Sequence, residues 1–484
     1  MKKQAKNSVI YTLGMLLTTL FGFISTLVLT RVLPQQIYAQ YGLLTTFITA
    51  SVTVVSLGMD AAYTRFFYES QYTPIQLLVK CIKLPLVLVT TFSLILLEPS
   101  HQLLRYMFIV NVDSTLAFLI VGYLIFSLFS KFTQLTARMG EFAFNYIFSN
   151  FIAKSGFVVG ILFSSIFAQN ITLHWVVMSF LLASFCAILI NISTLLKAKK
   201  LVGNKVSVVS AKEMLSYGIP LMITNVMMLV IPLIEKIVVR DLSGWKVLSI
   251  YTAASVFYTG IAIMKSAIDN IWQPVVFKYY SRKQIFQQFL HDFGLLLTGI
   301  TVIGLGFCIL LRRYLVLILD KSYFEVYLIA PAIMFSACCE IYTMIYAIGL
   351  NIEKKTLHIL ISPIIQIAVS LSLCFLLIPK LGLIGIGIAS MVSVVVSKAY
   401  RIVIGLSMYS TGKNEWKIVI LWISSIFASI YVMFFKTLLS DCIVFIILTS
   451  LSVLVLNREG MEIIKTRGQM FIPKKFIREK KMKK

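Results

Sequence analysis

Acidic residues are scarce in this chain of 484 residues: 19 Asp and Glu stand against 44 Lys and Arg, and charged residues of both signs make up only 13%. Soluble domains carry about 25% charged residues, so a chain this poor in charge does not have a solvated globular surface. Histidine is rarer still. His101, His174, His291 and His358 are scattered one per segment. The seven cysteines (Cys81, Cys186, Cys308, Cys338, Cys339, Cys374, Cys442) include no CxxC and have no histidine at ligand spacing, which argues against a metal centre and a disulfide framework. Cys338 and Cys339 are adjacent, so on a helix they point to different faces and read as packing. GxxxxGK[ST], HExxH and GxSxG are absent as well. Neither ATP hydrolysis nor proteolysis is supported, and the chain reads as no enzyme, with no cofactor.

Hydrophobic residues are abundant, at 59% of the chain with a mean hydropathy of +0.91. Apolar runs of roughly 18 to 25 residues recur from end to end, which fits neither a soluble enzyme with one anchor nor a β-barrel of short alternating segments. The first run, from Val9 to Thr30, follows Lys2, Lys3 and Lys6 as a signal peptide would. It is too long and lacks a small-residue cleavage site, so it is kept as a span. Spans are expected near 9–30, 41–60, 82–98, 114–134, 143–167, 174–196, 214–238, 247–270, 289–311, 326–350, 357–378, 383–407, 416–436 and 441–457. The fold class is therefore an all-α polytopic membrane protein of about 14 transmembrane helices.

The net charge of +25 would suggest nucleic acid if it lay on a folded basic face. Its distribution speaks for a membrane instead. With the N-terminus inside, 32 Lys and Arg fall in cytoplasmic segments and 10 in outer segments or outer helix ends, leaving Lys154 and Lys265 at membrane depth. Cytoplasmic loops collect Lys and Arg, so a multi-pass protein of the cell membrane with both termini cytoplasmic is expected. The tail from Arg458 to Lys484 interleaves Phe471, Ile472, Phe476 and Ile477 with ten basic residues. It reads as an anchor on anionic lipids or as topology-setting charge, with no nucleic-acid role.

The polar segment from Lys197 to Lys212 divides the first twelve spans into two sixes. Offset by 209 residues, Arg31-Val32-Leu33 matches Arg240-Asp241-Leu242, and Asp60 meets Asp269. Six spans per half make a parallel repeat about an axis along the membrane normal, a transporter architecture with a central cavity. The expected domains are an N-terminal lobe at 1–205, a C-terminal lobe at 206–410, two further helices at 411–457 and a basic tail at 458–484.

Several segments resemble a known family. Asn7-Ser8, Phe21-Gly22-Phe23, Thr30-Arg31-Val32-Leu33 and Tyr41-Gly42 are similar to the opening of the polysaccharide transporters of the multidrug/oligosaccharidyl-lipid/polysaccharide exporter superfamily, the Wzx-type flippases. Tyr217-Gly218-Ile219-Pro220, Glu235-Lys236 with Ile250-Tyr251-Thr252-Ala253-Ala254, and the run from Leu377 to Ser390 resemble later motifs of that family in the same order. Glu235 stands where Asp is usual and Gly387 where Ala is usual. In the last run, Pro379 is expected to end a helix, with Gly382, Gly385 and Gly387 allowing a tight turn and close helix approach.

The resemblance implies a flippase that moves a polyprenyl-pyrophosphate-linked oligosaccharide, such as an undecaprenyl pyrophosphate-linked repeat unit, across the membrane by alternating access. It would serve O-antigen, capsule, exopolysaccharide or teichoic-type synthesis. A lipid II flippase is the alternative, and an ion-coupled multidrug exporter the more distant one. Glycan polymerase and glycosyltransferases are the implied protein partners, and a proton or sodium gradient, or the substrate's own gradient, the driving force.

Ionisable groups at membrane depth cost about 2.5–3.5 kcal/mol each on insertion scales and are tolerated beside a watery cavity. On that ground Lys154, Lys265, Lys398 and Arg401 are candidate substrate-binding cations, and Glu340 is the coupling candidate. Arg31 and Arg65 join the cations at the cavity mouths if the halves pack as the resemblance implies. Two plainer readings stand beside these: Lys398 and Arg401 snorkel to the headgroups, and Glu340 neutralises Lys265 or Lys154. Gly156 and Gly160 form a GxxxG face read as helix packing.

Overall fold

The computed structural model describes residues 2–68, 72–108, 112–168, 170–198, 210–279, 283–353, 355–411 and 415–456. The tail expected to bind anionic lipids, and positions 199–209 of the polar segment, lie outside the described residues. Among the described residues all regular structure is helical. Hydrocarbon offers no water to unpaired N–H and C=O groups, so an apolar chain of this kind closes its hydrogen bonds within each segment.

In chain order the helices are α1 (Lys2–Val32), α2 (Gln35–Val55), α3 (Met59–Phe66), α4 (Pro74–Leu96), α5 (Gln102–Phe108), α6 (Ser114–Met139), α7 (Ala143–Phe167), α8 (Leu173–Ala198) and α9 (Ala211–Tyr279). They continue with α10 (Lys283–Leu310), α11 (Arg312–Val316), α12 (Val326–Tyr346), α13 (Ile348–Ile352), α14 (Thr356–Leu381), α15 (Leu383–Met408), α16 (Trp416–Phe434) and α17 (Leu438–Leu456). Among the described residues a single 3-10 turn covers Lys321–Tyr323. Among the described residues 11 helices are long and apolar enough to cross a membrane, or 12 if the bent pair α2 and α3 is one span. The polytopic helical class expected from the sequence is thus present.

Three helix boundaries differ from a simple reading of the apolar runs. The span expected at 41–60 is broken by a 60° bend between α2 and α3, where Leu57 (φ 46°) and Gly58 (φ 70°) both take left-handed backbone. Glycine adopts that conformation without a Cβ clash, whereas leucine is strained there. The expected spans 7 and 8 run on as α9, whose 69 residues are interrupted at Gly244 (φ 79°, ψ 178°). A continuous helix of that length would measure about 100 Å, more than three times the hydrocarbon thickness, so the break is required. Pro379 does not end its helix as expected: α14 runs through it to Leu381 and stops at Gly382 (φ 53°, ψ −124°). Proline removes one amide donor, but the positive φ of Gly382 turns the chain. At Gly385 a Cβ would come within 2.7 Å of the Leu377 carbonyl carbon, so this glycine permits the close approach of α14 and α15.

Packing divides the chain into two compact units. The first holds Met1–Val256 with Leu319–Tyr323, and the second holds Phe257–Ile318 with Phe324–Lys484. This division by packing is distinct from the division by repeat expected at residue 205. In the first unit α1 packs on α7, and α6 and α7 pack on α8. The GxxxG face serves that packing: a Cβ at Gly156 would sit 3.3 Å from the Ala183 side chain, and one at Gly160 would sit 2.8 Å from Ser179 Oγ.

The second unit is built around α12, which packs against α10, α15 and α16. Its apolar window is 89% buried, against 17% to 56% in the other candidate spans. The last two helices are tied in by a buried ion pair. Arg312 and Asp441, both 0% exposed, meet through Nη2 to Oδ1 at 2.8 Å and Nε to Oδ2 at 3.1 Å. Arg312 Nη1 also donates to the Val432 carbonyl at 2.6 Å, so one guanidinium joins the start of α17 to the end of α16. Removing one partner of a buried pair costs about 3–5 kcal/mol, because the other charge is left without compensation. Arg312→Ala is expected to destabilise the detergent-solubilised protein by that order, read as a lower thermal unfolding midpoint, while Arg312→Met with Asp441→Leu recovers most of the loss. A single variant as stable as the wild type would show that the pair holds nothing together.

Candidate functional site

Four of the residues singled out by membrane depth come together in the second unit. Glu340, on the central helix α12, accepts from Lys398 Nζ of α15 at 2.6 Å through Oε1 and from Lys265 Nζ of α9 at 3.3 Å through Oε2. Arg401 lies one turn beyond Lys398 and adds its charge to the same carboxylate. Its Nε is buried and has no hydrogen-bond partner among the described residues. Side-chain exposure falls from 31% at Lys265 through 20% at Glu340 to 6% at Lys398. Lys398 is therefore held inside the unit and does not snorkel to headgroups. Three cations meet one carboxylate, and the group carries two positive charges in excess. Between α14 and α15, Tyr400 OH and His358 Nδ1 are 2.7 Å apart, and Ser362 and Ser397 exchange hydrogen bonds.

The remaining candidates lie in the first unit and are not gathered. Lys154, an exposed residue of α7, donates from Nζ to the Thr18 carbonyl of α1 at 3.0 Å. A Cβ at Gly22 would lie 3.5 Å from that ammonium, so the glycine leaves it room, and the Phe21 and Phe151 rings meet edge to face at 5.1 Å beside it. No carboxylate pairs with Lys154 among the described residues. Arg31 ends α1, is exposed, and lies near Asp320. Arg65 is in the last turn of α3 and is exposed. Asp60, at the start of α3, is taken by Lys131 at 2.9 Å.

One cation was passed over by sequence reasoning. Lys236 is one of the ten basic residues that the charge distribution places in outer segments or outer helix ends, yet its Nζ reaches α2 and donates to the Gly42 carbonyl and to Thr46 Oγ1, each at 2.7 Å. The neighbouring Glu235 is buried and accepts from Tyr251 OH at 2.8 Å. The available signal was position: Lys236 falls inside the apolar run expected at 214–238. Among the described residues no group of three or more His, Cys, Asp or Glu side chains is placed to hold a metal ion, and all seven cysteines are free thiols. The chemistry open to this arrangement is the binding of an anion by ammonium and guanidinium groups, with Glu340 as resident counter-charge.

The signature of the polysaccharide biosynthesis protein family matches residues 4–280, more than half of the chain. The chain belongs to that family. None of the curated proteins matches it in sequence. In structure it is similar to the lipid II flippase MurJ in an inward closed conformation, with a TM-score of 0.68 at 12% identity over 93% of this chain and 99% of that one. It is similar to an inward-facing MATE-family multidrug resistance transporter of the MOP superfamily, with a TM-score of 0.61 at 14% identity over 82% and 96%. A MOP superfamily transporter from Pyrococcus furiosus, whose binding pocket of reversed polarity suggests a different function, gives 0.53 at 13% over 85% and 97%. At these identities the likeness is one of fold. The fold is one that these membrane transporters share.

The ion cluster makes a direct prediction. Glu340→Gln leaves Lys398 buried without its carboxylate and is expected to lower protein abundance and stability, by up to about 3 kcal/mol given the partial exposure of the pair. Lys398→Met in the same chain should restore most of that loss. Equal effects from the single and double variants, read by thermal unfolding in detergent, would show that the two charges are not coupled.

Proposed function

We propose that this member of the polysaccharide biosynthesis protein family is a flippase for a polyprenyl-pyrophosphate-linked oligosaccharide, working by alternating access at the cytoplasmic membrane. The family match carries the reading. The local charge supports it, since Glu340 compensates only part of the charge of Lys265, Lys398 and Arg401. A pyrophosphate is an anion that such a group accepts by replacing the carboxylate as counter-charge. Protonation of Glu340 would release the same lysines, which makes it the proposed coupling group for an ion gradient. Lys154, Arg31 and Arg65 are proposed as further cations along the substrate's route, with the sugars passing through a hydrated cavity and the polyprenyl tail remaining in lipid.

Counting α1 as a span, α2 with α3 as one and α9 as two gives fourteen proposed spans in two parallel six-helix lobes with α16 and α17 in addition. Both termini are proposed to be cytoplasmic, with the basic tail on anionic lipid. A second reading, a lipid II flippase, is favoured by the TM-score of 0.68 to MurJ. A drug-cation exporter is disfavoured by the cation excess, because it would need carboxylates to hold its cargo.

Deleting the gene and analysing the lipid-linked sugars of the cytoplasmic leaflet separates the two flippase readings. A surface-glycan repeat unit accumulates on the first and the peptidoglycan precursor on the second; accumulation of neither would remove both. Lys154 gives the residue-level test. Among the described residues its ammonium donates to a neutral carbonyl and meets no carboxylate, and an anionic substrate would supply the missing charge. Lys154→Ala is expected to reduce surface glycan at least tenfold at normal protein abundance, while Lys154→Arg retains part of the activity. Full export by the alanine variant would show that the lysine is no substrate contact.

A further inference from the structure

Four candidate membrane spans of the second unit reach one end together: α10 stops at Leu310, α12 starts at Val326, α16 stops at Phe434 and α17 starts at Leu438. The ends of spans mark the boundary between hydrocarbon and headgroups. Positive charge gathers there. Arg312, Arg313 and Lys436, like Lys236, are among the basic residues that the charge distribution places on the outer side, and a single carboxylate, Asp441, answers these three. Both Asp441 oxygens are taken by Arg312, at 2.8 and 3.1 Å, while Arg313 Nε stands 3.9 Å away. Lys436 and Glu325, the residue before α12, make no ion pair among the described residues. Three cations against Asp441 leave an excess of positive charge at the bundle's end.

That excess is both presented and held. The Arg312 side chain is sealed, but that of Arg313 is 31% exposed. Arg313 Nη2 donates to the Lys436 carbonyl, which fixes the guanidinium beside the turn from α16 to α17. The Tyr327 ring lies within 5.4 and 5.5 Å of the Arg312 and Arg313 guanidinium carbons. A guanidinium tied at two points is no freely snorkelling side chain, and its remaining N–H groups form a planar fork that matches phosphate oxygens. Lys436 is exposed and adds a point charge from the same turn. Beside them the surface is aromatic and apolar: Tyr431 and Phe435, both exposed, stack with centroids 4.3 Å apart, and Leu438 and Leu439 are exposed next to them. Rings and basic side chains at the end of a span belong at headgroup level.

We propose that Arg313 and Lys436 form a binding site for the phosphate of an anionic glycerophospholipid, whose acyl chains lie along the exposed apolar residues of α16 and α17. Charge complementarity selects the headgroup, because a zwitterionic lipid brings a further cation to a place that already holds too many. The site is apart from the Glu340 cluster. Tyr327 and Glu340 stand on the same helix 13 residues apart, about 20 Å at the helical rise. Lipid binding here is independent of what the protein transports, and holds whichever side of the membrane this end faces.

Hydrogen exchange on the full-length protein in nanodiscs tests the site, with phosphatidylcholine alone compared against an equimolar mixture with phosphatidylglycerol. The amides of residues 435–441 are expected to exchange about threefold more slowly in the mixture. Arg313→Gln with Lys436→Gln should abolish that difference. Lys436→Gln alone, which removes no side-chain bond seen in the structure, should shrink it, and Arg313→Lys should keep part of it because the charge survives. Equal exchange of wild type in the two lipids would overturn the site. So would a difference that persists in full in the double variant, which would put the headgroup on other basic segments. If the double variant does not fold, an undiminished difference in Lys436→Gln overturns it instead.

Discussion

Charge inside a hydrocarbon-spanning bundle has to be matched locally, and the second unit is organised around that demand. Glu340 stands on α12, the most buried of the candidate spans, and can remain ionised there because α9 and α15 bring Lys265 and Lys398 to its two oxygens. The pairing fixes which faces of three helices meet, just as Arg312 and Asp441 fix α17 against the end of α16. The two pairs differ in a way that suits different roles. Arg312 and Asp441 are sealed from solvent, with Arg313 Nε 3.9 Å from the same carboxylate. Glu340 is outnumbered and partly exposed, which leaves a positive excess beside it.

The first unit treats its charges differently. Lys154 and Lys236 hydrogen-bond to neutral oxygens, the carbonyls of Thr18 and Gly42 and the Thr46 hydroxyl. The acceptors lie on α1 or α2. Bends at Gly58, Gly244 and Gly382 add the points at which otherwise continuous helices change direction. In each case a glycine takes a positive φ, which a residue without a Cβ reaches at little cost, and at the first bend Leu57 shares it.

Much of the architecture was legible because span length and apolar composition are properties of consecutive residues. The runs at 114–134, 143–167 and 174–196 fall within α6, α7 and α8. The family too was legible, since its motifs at Arg31, Tyr217 and Glu235 lie in order along the chain and the matching signature covers residues 4–280. Breaks were harder to read. Gly58 and Gly244 sit among many glycines, and which of them takes a positive φ depends on what the flanking helices pack against.

The candidate site divides along the same line. Sequence alone marked Lys154, Lys265, Glu340, Lys398 and Arg401, because an ionisable residue within an apolar run is visible wherever the run is visible. It left open whether Lys398 reached the headgroups and which lysine Glu340 met, and it assigned Lys236 to a helix end. Those choices belong to the tertiary structure: Lys265, Glu340 and Lys398 are 75 and 58 residues apart in sequence and meet only because α9, α12 and α15 pack together. A residue's depth follows from its own neighbours in the chain, whereas its electrostatic partner is set by which helix faces meet, and no local pattern encodes that.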